Sequence, residues 1–182
     1  LLRNILQWIK IWPLFEELVM LLKKSKYINE IFCLSEDKYL SENFDIKWLD
    51  RKKIENSNSL SLKELLQEAL KLIEEEQIFP ISVLYANYEY DKRPKDLFDM
   101  LIKDSLLNDF DMMFPGLVDY GQYWYLDNDD NYRQTDSSLS SREFRSPHYK
   151  ALYGLGWIIR SYNLRKENIF DCRTGILKLK NH

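Results

Sequence analysis

His148 is the only histidine away from the chain end, so an imidazole acting as general base has to be His148. It follows Ser146 and Pro147, a pair that reads as the N-cap and first residue of a helix. The free N–H groups of such a terminus carry partial positive charge, and Arg142 and Arg145 stand just upstream. Arg142, Arg145, Ser146 and His148 therefore form a candidate anion site. Were the chain an enzyme, Arg142, Arg145 and His148 would be its catalytic set. The plainer structural reading has Ser146 capping a helix, the arginines in surface ion pairs, and His148 packed in line with Leu152, Leu155 and Ile159.

A second group is acidic and aromatic. Asp119, Tyr123, Trp124, Asp127, Asp129 and Asp130 lie close together in the chain. Rigid rings set among carboxylates make a partner-binding surface, and their sign suits a basic protein. The structural alternative is a strand whose rings fill the core. Asp127, Asp129 and Asn131 have the first three ligand spacings of a calcium loop, yet Tyr132 stands where the turn needs glycine and Ser138 where a bidentate Glu belongs. A solvated hairpin tip is the better reading, and neither a metal nor a cofactor is expected.

The spacing from Arg142 to His148 resembles the Arg-x(4–6)-His motif of the HEPN ribonucleases, which implies metal-independent cleavage of RNA. Pro147 departs from that pattern, because it would leave Arg142 ahead of the helix that should carry both residues. No nucleophile elbow, phosphate-cradling Gly-Lys-Ser/Thr loop or paired histidine ligands are present. Gly154-Leu155-Gly156 lacks the third glycine of a dinucleotide loop.

Charge changes sign late in the sequence. Residues 89–136 hold 12 acidic and 5 basic side chains, whereas residues 137–182 hold 3 acidic and 9 basic ones. The whole chain is near neutral at −3, which argues against a dedicated nucleic-acid coat, although the basic stretch 142–180 with its interleaved rings could hold single-stranded nucleic acid. Two cysteines, Cys33 and Cys172, are too few for a disulfide framework and point to a reducing cytoplasm. Leu1 to Leu22 is apolar but interrupted by charges, and reads as amphipathic rather than membrane-spanning.

The elements that must position these residues follow from periodicity. Residues 2–12 and the segment opening at Pro13 read as two helices with a bend. Residues 25–58 show no clear period, and Asn56–Ser59 reads as a linker. Ser61 and Glu64 have capping-box spacing ahead of an apolar stripe that predicts a helix to about Glu76. Residues 78–90 read as a strand, and Pro94 opens a helix burying Leu97, Phe98, Leu101, Ile102 and Leu106. Phe114-Pro115-Gly116 reads as a turn, Leu117–Leu126 and Tyr132–Thr135 as a hairpin, Pro147–Asn163 as a helix, and Ile169–Leu179 as a terminal hairpin with Gly175 at positive φ. Gly154 and Gly156 suggest that another backbone crosses closely there.

Helices and strands without regular alternation predict an α+β fold in one domain spanning 1–182, with a helical part over 1–58 and a mixed part over 59–182. By composition the expected role is that of a non-enzymatic cytoplasmic protein that binds a basic partner, in the manner of an immunity protein or antitoxin. The alternatives are a nucleic-acid-binding protein or metal-independent ribonuclease using the basic C-terminal face, and a structural subunit of a larger assembly.

Overall fold

The computed structural model describes residues 2–90, 92–135 and 141–179, with side chains from residue 12 onward. Helix α1 (Leu2–Lys24) comes first, and Pro13 lies inside it rather than between two helices as expected. Proline removes one helical donor, but Phe15, Leu18 and Val19 are buried and anchor the following turns. The segment without clear period then holds β1 (Phe32–Ser35), α2 (Tyr39–Phe44) and β2 (Lys47–Asp50). Strands β1 and β2 pair in parallel as a separate two-stranded sheet.

Helix α3 (Leu62–Glu75) begins as its sequence dictates. Ser61 accepts from the Glu64 backbone at 3.3 Å, and Glu64 accepts from the Ser61 backbone at 2.8 Å. Its stripe buries Leu66, Ala69, Leu70 and Ile73. Strand β3 (Ser82–Tyr85) and helix α4 (Leu97–Leu107) follow, the latter burying Leu97, Phe98, Leu101 and Ile102. Leu106 was expected inside and is 58% exposed.

The five-stranded sheet is built on β4 (Met112–Asp119). One edge of β4 pairs antiparallel with β8 (Trp157–Arg160) through Met112 and Met113, then with β7 (His148–Ala151) through Gly116–Asp119. The other edge pairs in parallel with β9 (Thr174–Leu179), and β3 adds antiparallel to β8. Met112, Phe114, Trp157 and Ile159 pack with Leu66 and Leu70 of α3, whereas Met113 and Ile158 pack with Leu97 and Leu101 of α4. Alternate residues thus serve opposite faces, and the middle strands are apolar throughout because helices cover both. Helices with a largely antiparallel sheet give the expected α+β content.

Three local expectations are corrected. Phe114-Pro115-Gly116 lies within β4 and is not a turn. Proline is tolerated there because Phe114 and Pro115 face the gap between the β8 and β7 pairings, where only the Pro115 carbonyl is engaged, accepting from Leu152 N–H at 2.9 Å. Residues 147–163 form β7, β8 and the short α5 (Ser161–Leu164) instead of one helix. Two glycines weaken a helix at that point, and Trp157-Ile158-Ile159 is a strand sequence buried on both faces. No described glycine has positive φ, and Gly175 sits inside the single strand β9, so the terminal hairpin does not form.

Candidate functional site at the carboxyl end of β4

The end of β4 gathers residues that are far apart in sequence. Asp119 and His148 are direct cross-strand partners of β4 and β7. The Tyr123 ring meets the His148 ring edge-on, with centroids 5.3 Å apart. Tyr123 also donates its hydroxyl to Asp119, and the Gly121 N–H donates to the other Asp119 oxygen at 2.7 Å. These bonds, the Tyr123 hydroxyl foremost, hold the Asp119 carboxyl below the usual carboxylate range, with help from the charges of His148 and Arg142. The same bond pushes the Tyr123 hydroxyl up.

Arg142 and Lys150 share a recess with this carboxylate. Residues 142–144 form a 3₁₀ turn that sets the Arg142 guanidinium 5.4 Å from the centre of the Tyr120 ring. Arg145 donates to the Tyr120 carbonyl at 2.9 Å, which ties the turn to the strand end. A recess of about 510 Å³ opens between them, lined by Asp119, Tyr120, Gly121, Arg142 and Lys150 together with Leu117 and Val118. Nearby, Lys178 of β9 lies 5.4 Å from the centre of the Tyr149 ring. Asp119 already has hydrogen-bond donors of its own, so Arg142 and Lys150 are available to an anion entering the recess.

The two candidate groups are thus partly merged and partly split. Asp119, Tyr123, Arg142, Arg145 and His148 come together, although sequence reading put them in separate sites. Ser146 is exposed and precedes a strand, so it caps no helix, and the helix-terminus anion site is corrected. Trp124, Asp127, Asp129 and Asp130 stand away from the recess on a hairpin of β5 (Trp124–Leu126) and β6 (Tyr132–Gln134). Asp127 is the hairpin's own acceptor: it takes N–H bonds from Asp129 at 3.0 Å and Asn131 at 2.9 Å, and pairs with Arg133. Arg133 is the main reason its carboxyl sits below the usual range. The expected hairpin tip is present, with Trp124 60% exposed. Residue 138 of the calcium-loop comparison lies outside the described residues.

Other charged groups have structural work. Arg160 bridges Asp109 at 2.7 Å and approaches Asp111 at 3.8 Å, and Asp111 also takes the Tyr162 hydroxyl. The buried Arg93 donates to the carbonyls of Leu155 at 3.0 Å and Gly154 at 3.1 Å, joining the loop after β3 to the turn before β8. Of the basic tail, Arg165 pairs with Glu74, while the Arg173 and Lys166 cations lie over the Phe110 and Tyr162 rings. The tail's cations are therefore spread over several elements and do not form one helix face. Among the described residues no three His, Cys, Asp or Glu side chains gather where a metal could be held by protein alone. Sequence reading missed Gly121, whose signal is its place two residues after Asp119: a Cβ there would stand 3.1 Å from the carboxylate it donates to.

The fold is shared with several enzymes of known structure. No family model and no curated protein matches the sequence. Among solved structures, it is similar to CMP:2-keto-3-deoxy-manno-octonic acid synthetase complexed with CTP, at TM-score 0.62 and 8% identity over 92% of this chain and 80% of that one. It is likewise similar to 4-diphosphocytidyl-2C-methyl-D-erythritol synthase from Anaerococcus prevotii, at TM-score 0.61 and 14% identity over 91% of this chain and 76% of that one. A third is the bifunctional IspDF from Campylobacter jejuni, at TM-score 0.56 and 16% identity over 92% of this chain. The chain spans 42% of that bifunctional protein's length.

These likenesses correct the expected role. The chain shares its fold with these enzymes, and the reading as a non-enzymatic, immunity- or antitoxin-like binder of a basic protein is overturned. The resemblance to the HEPN ribonuclease motif is also corrected, since His148 is on a strand and Arg142 on a 3₁₀ turn, so no helix carries both.

Proposed function

We propose that this chain belongs to an enzyme that transfers a nucleotidyl group, and that the recess at the end of β4 holds an anionic group of its substrate. The observation that carries this reading is the recess itself, where Arg142 and Lys150 face a space beside a single carboxylate that Tyr123 and Gly121 already satisfy. The strand end supports it too, since β4 delivers Asp119 there with His148 of β7 directly opposite. The fold likeness supports the reaction class, and the name of one neighbour supplies both probes: CTP and the acidic sugar 2-keto-3-deoxy-manno-octonate. A cytoplasmic setting fits, since both cysteines are free and a nucleotide donor is made inside the cell.

Each residue has a role in this account. Arg142 and Lys150 bind the phosphate or carboxylate oxygens, Arg145 fixes the turn that carries Arg142, and Tyr123 keeps Asp119 ionised and oriented. Calorimetric titration with CTP and, separately, with 2-keto-3-deoxy-manno-octonate tests it. Binding of at least one is expected, weakening as salt rises, and Arg142→Ala should lower the affinity about tenfold or more. Binding that Arg142→Ala and Lys150→Ala leave unchanged, or no binding of either probe, contradicts the reading.

A further inference from the structure

Exposed apolar side chains concentrate on the β5–β6 hairpin. Trp124, Tyr125, Leu126 and Tyr132 are each more than half exposed there. A two-stranded hairpin is marginally stable by itself in water, and a sheet gains stability once three or more strands share an apolar face. This one is tied to the body at its root, where Tyr123 reaches Asp119 and His148. Its outer strand is bare: among the described residues β5 pairs with β6 alone, and Trp124-Tyr125-Leu126 carries no charge and no proline. Natural edges are guarded by lysine, proline or a bulge, and an unguarded edge is a template for another strand.

The backbone decides what that edge can pair with. The Thr135 N–H donates to the Tyr123 carbonyl at 2.8 Å and the Asp127 N–H to the Asn131 carbonyl at 2.9 Å, so Tyr123, Tyr125 and Asp127 turn their backbone groups toward β6. Alternation then leaves the N–H and C=O of Trp124 and Leu126 on the outer edge. An antiparallel copy of β5 centred on Tyr125 offers the same groups in matching register: Trp124 meets Leu126 of the second copy, Leu126 meets its Trp124, and Tyr125 meets its own counterpart. The side chains match as well. Cross-strand partners share a face, so Leu126 stands beside Tyr132 of its own hairpin and gains Trp124 of the other copy on its second flank. Charge makes the same choice of direction. Asp129 and Asp130 lie at the hairpin tip, and an antiparallel pair keeps the two tips at opposite ends, whereas a parallel pair would set like charges side by side.

We propose that the partner of the β5 edge is a second copy of this chain, the two hairpins joining antiparallel across a two-fold axis at Tyr125 into one four-stranded sheet. A self-complementary edge of this kind gives a closed, isologous contact. Area sets its strength. Trp124, Tyr125 and Tyr132, at roughly 150–250 Å² per ring and more than half exposed, offer roughly 300–450 Å² per copy, against roughly 800 Å² in a standard interface. The dimer is therefore a weak one, of about micromolar affinity. The inference is independent of the anion site.

Its test needs no nucleotide. Sedimentation velocity of the chain over about 1 to 100 μM should show reversible dimer formation, and Leu126→Lys, which sets a charge on the edge, should weaken it about tenfold or more. Oxidative cross-linking then fixes the register. In a Cys172→Ser background, which leaves only the buried Cys33, Tyr125→Cys should give a disulfide-linked dimer. Residues that face each other at a non-hydrogen-bonded position lie about 4.5 Å apart by Cα, within disulfide reach. Asp129→Cys, at the tip, should cross-link about tenfold less. A chain that stays monomeric across the concentration range overturns the proposal. So does a dimer that Leu126→Lys leaves intact, or equal cross-linking at positions 125 and 129, since either would put the contact elsewhere.

Discussion

Asp119 sits where a strand end, a tyrosine and an arginine-bearing turn meet, and each acts on its carboxylate. Its proton affinity is depressed in the folded chain. The stability that this contributes is present above about pH 4, the ordinary carboxylate range, and is lost as pH falls through the lower folded value. Tyr123→Phe removes the leading cause, so the Asp119 carboxyl should titrate at higher pH, read from its own NMR resonance. An unchanged titration would mean that the tyrosine hydroxyl does not hold the carboxylate. Gly154 makes a second residue-scale prediction. The expected crossing backbone is there, Asn87 donating its N–H to the Gly154 carbonyl at 2.9 Å, and on the side where a Cβ would stand the Tyr90 ring fills the space, so a Cβ would overlap the ring. Gly154→Ala should cost about 1–3 kcal/mol in denaturant unfolding, with little loss if Tyr90 swings away freely.

At the scale of elements, the sequence was most legible where local chemistry and packing agree. The capping box and stripe of α3 located that helix within one residue of its end. Ser61→Ala should therefore lower stability by about 1 kcal/mol, or roughly 2–4 °C in thermal unfolding of a chain this size. Helix α4 was readable apart from Leu106, and Leu101→Ala, at a site with no solvent exposure packed with Met113 and Ile158, should cost about 2–5 kcal/mol. Legibility failed where partners are distant. Leu152, Leu155 and Ile159 have helical spacing by coincidence: Leu152 bonds across to Pro115, and Ile158 and Ile159 serve opposite faces of a strand. Pro115 looked like a turn because its tolerance depends on a gap between β7 and β8 that no local signal announces. The candidate site suffered from the same cause. A helix over residues 147–163 would keep Asp119 and His148 apart, and only the strand pairing of β4 with β7 makes them one site.

Over the whole molecule, net charge concealed more than it revealed. The charge changes sign late in the sequence, yet the fold brings Asp119 of the acidic stretch beside Arg142, His148 and Lys150 of the basic one. Opposite charges drawn from both stretches at one strand end make a polar site inside an otherwise apolar, helix-covered sheet. No described helix is long and apolar enough to cross a membrane. The remaining basic residues are distributed through ion pairs and ring contacts that hold α3, α5 and the main sheet together. The recess at the end of β4 is what links this architecture to chemistry, and the measurement that tests it most directly is an amide correlation spectrum of the labelled chain titrated with CTP and then with 2-keto-3-deoxy-manno-octonate. The account predicts saturable shifts centred on Tyr120, Gly121, Arg142 and His148, abolished by Arg142→Ala; shifts confined to the β5–β6 hairpin, or none with either probe, would contradict it.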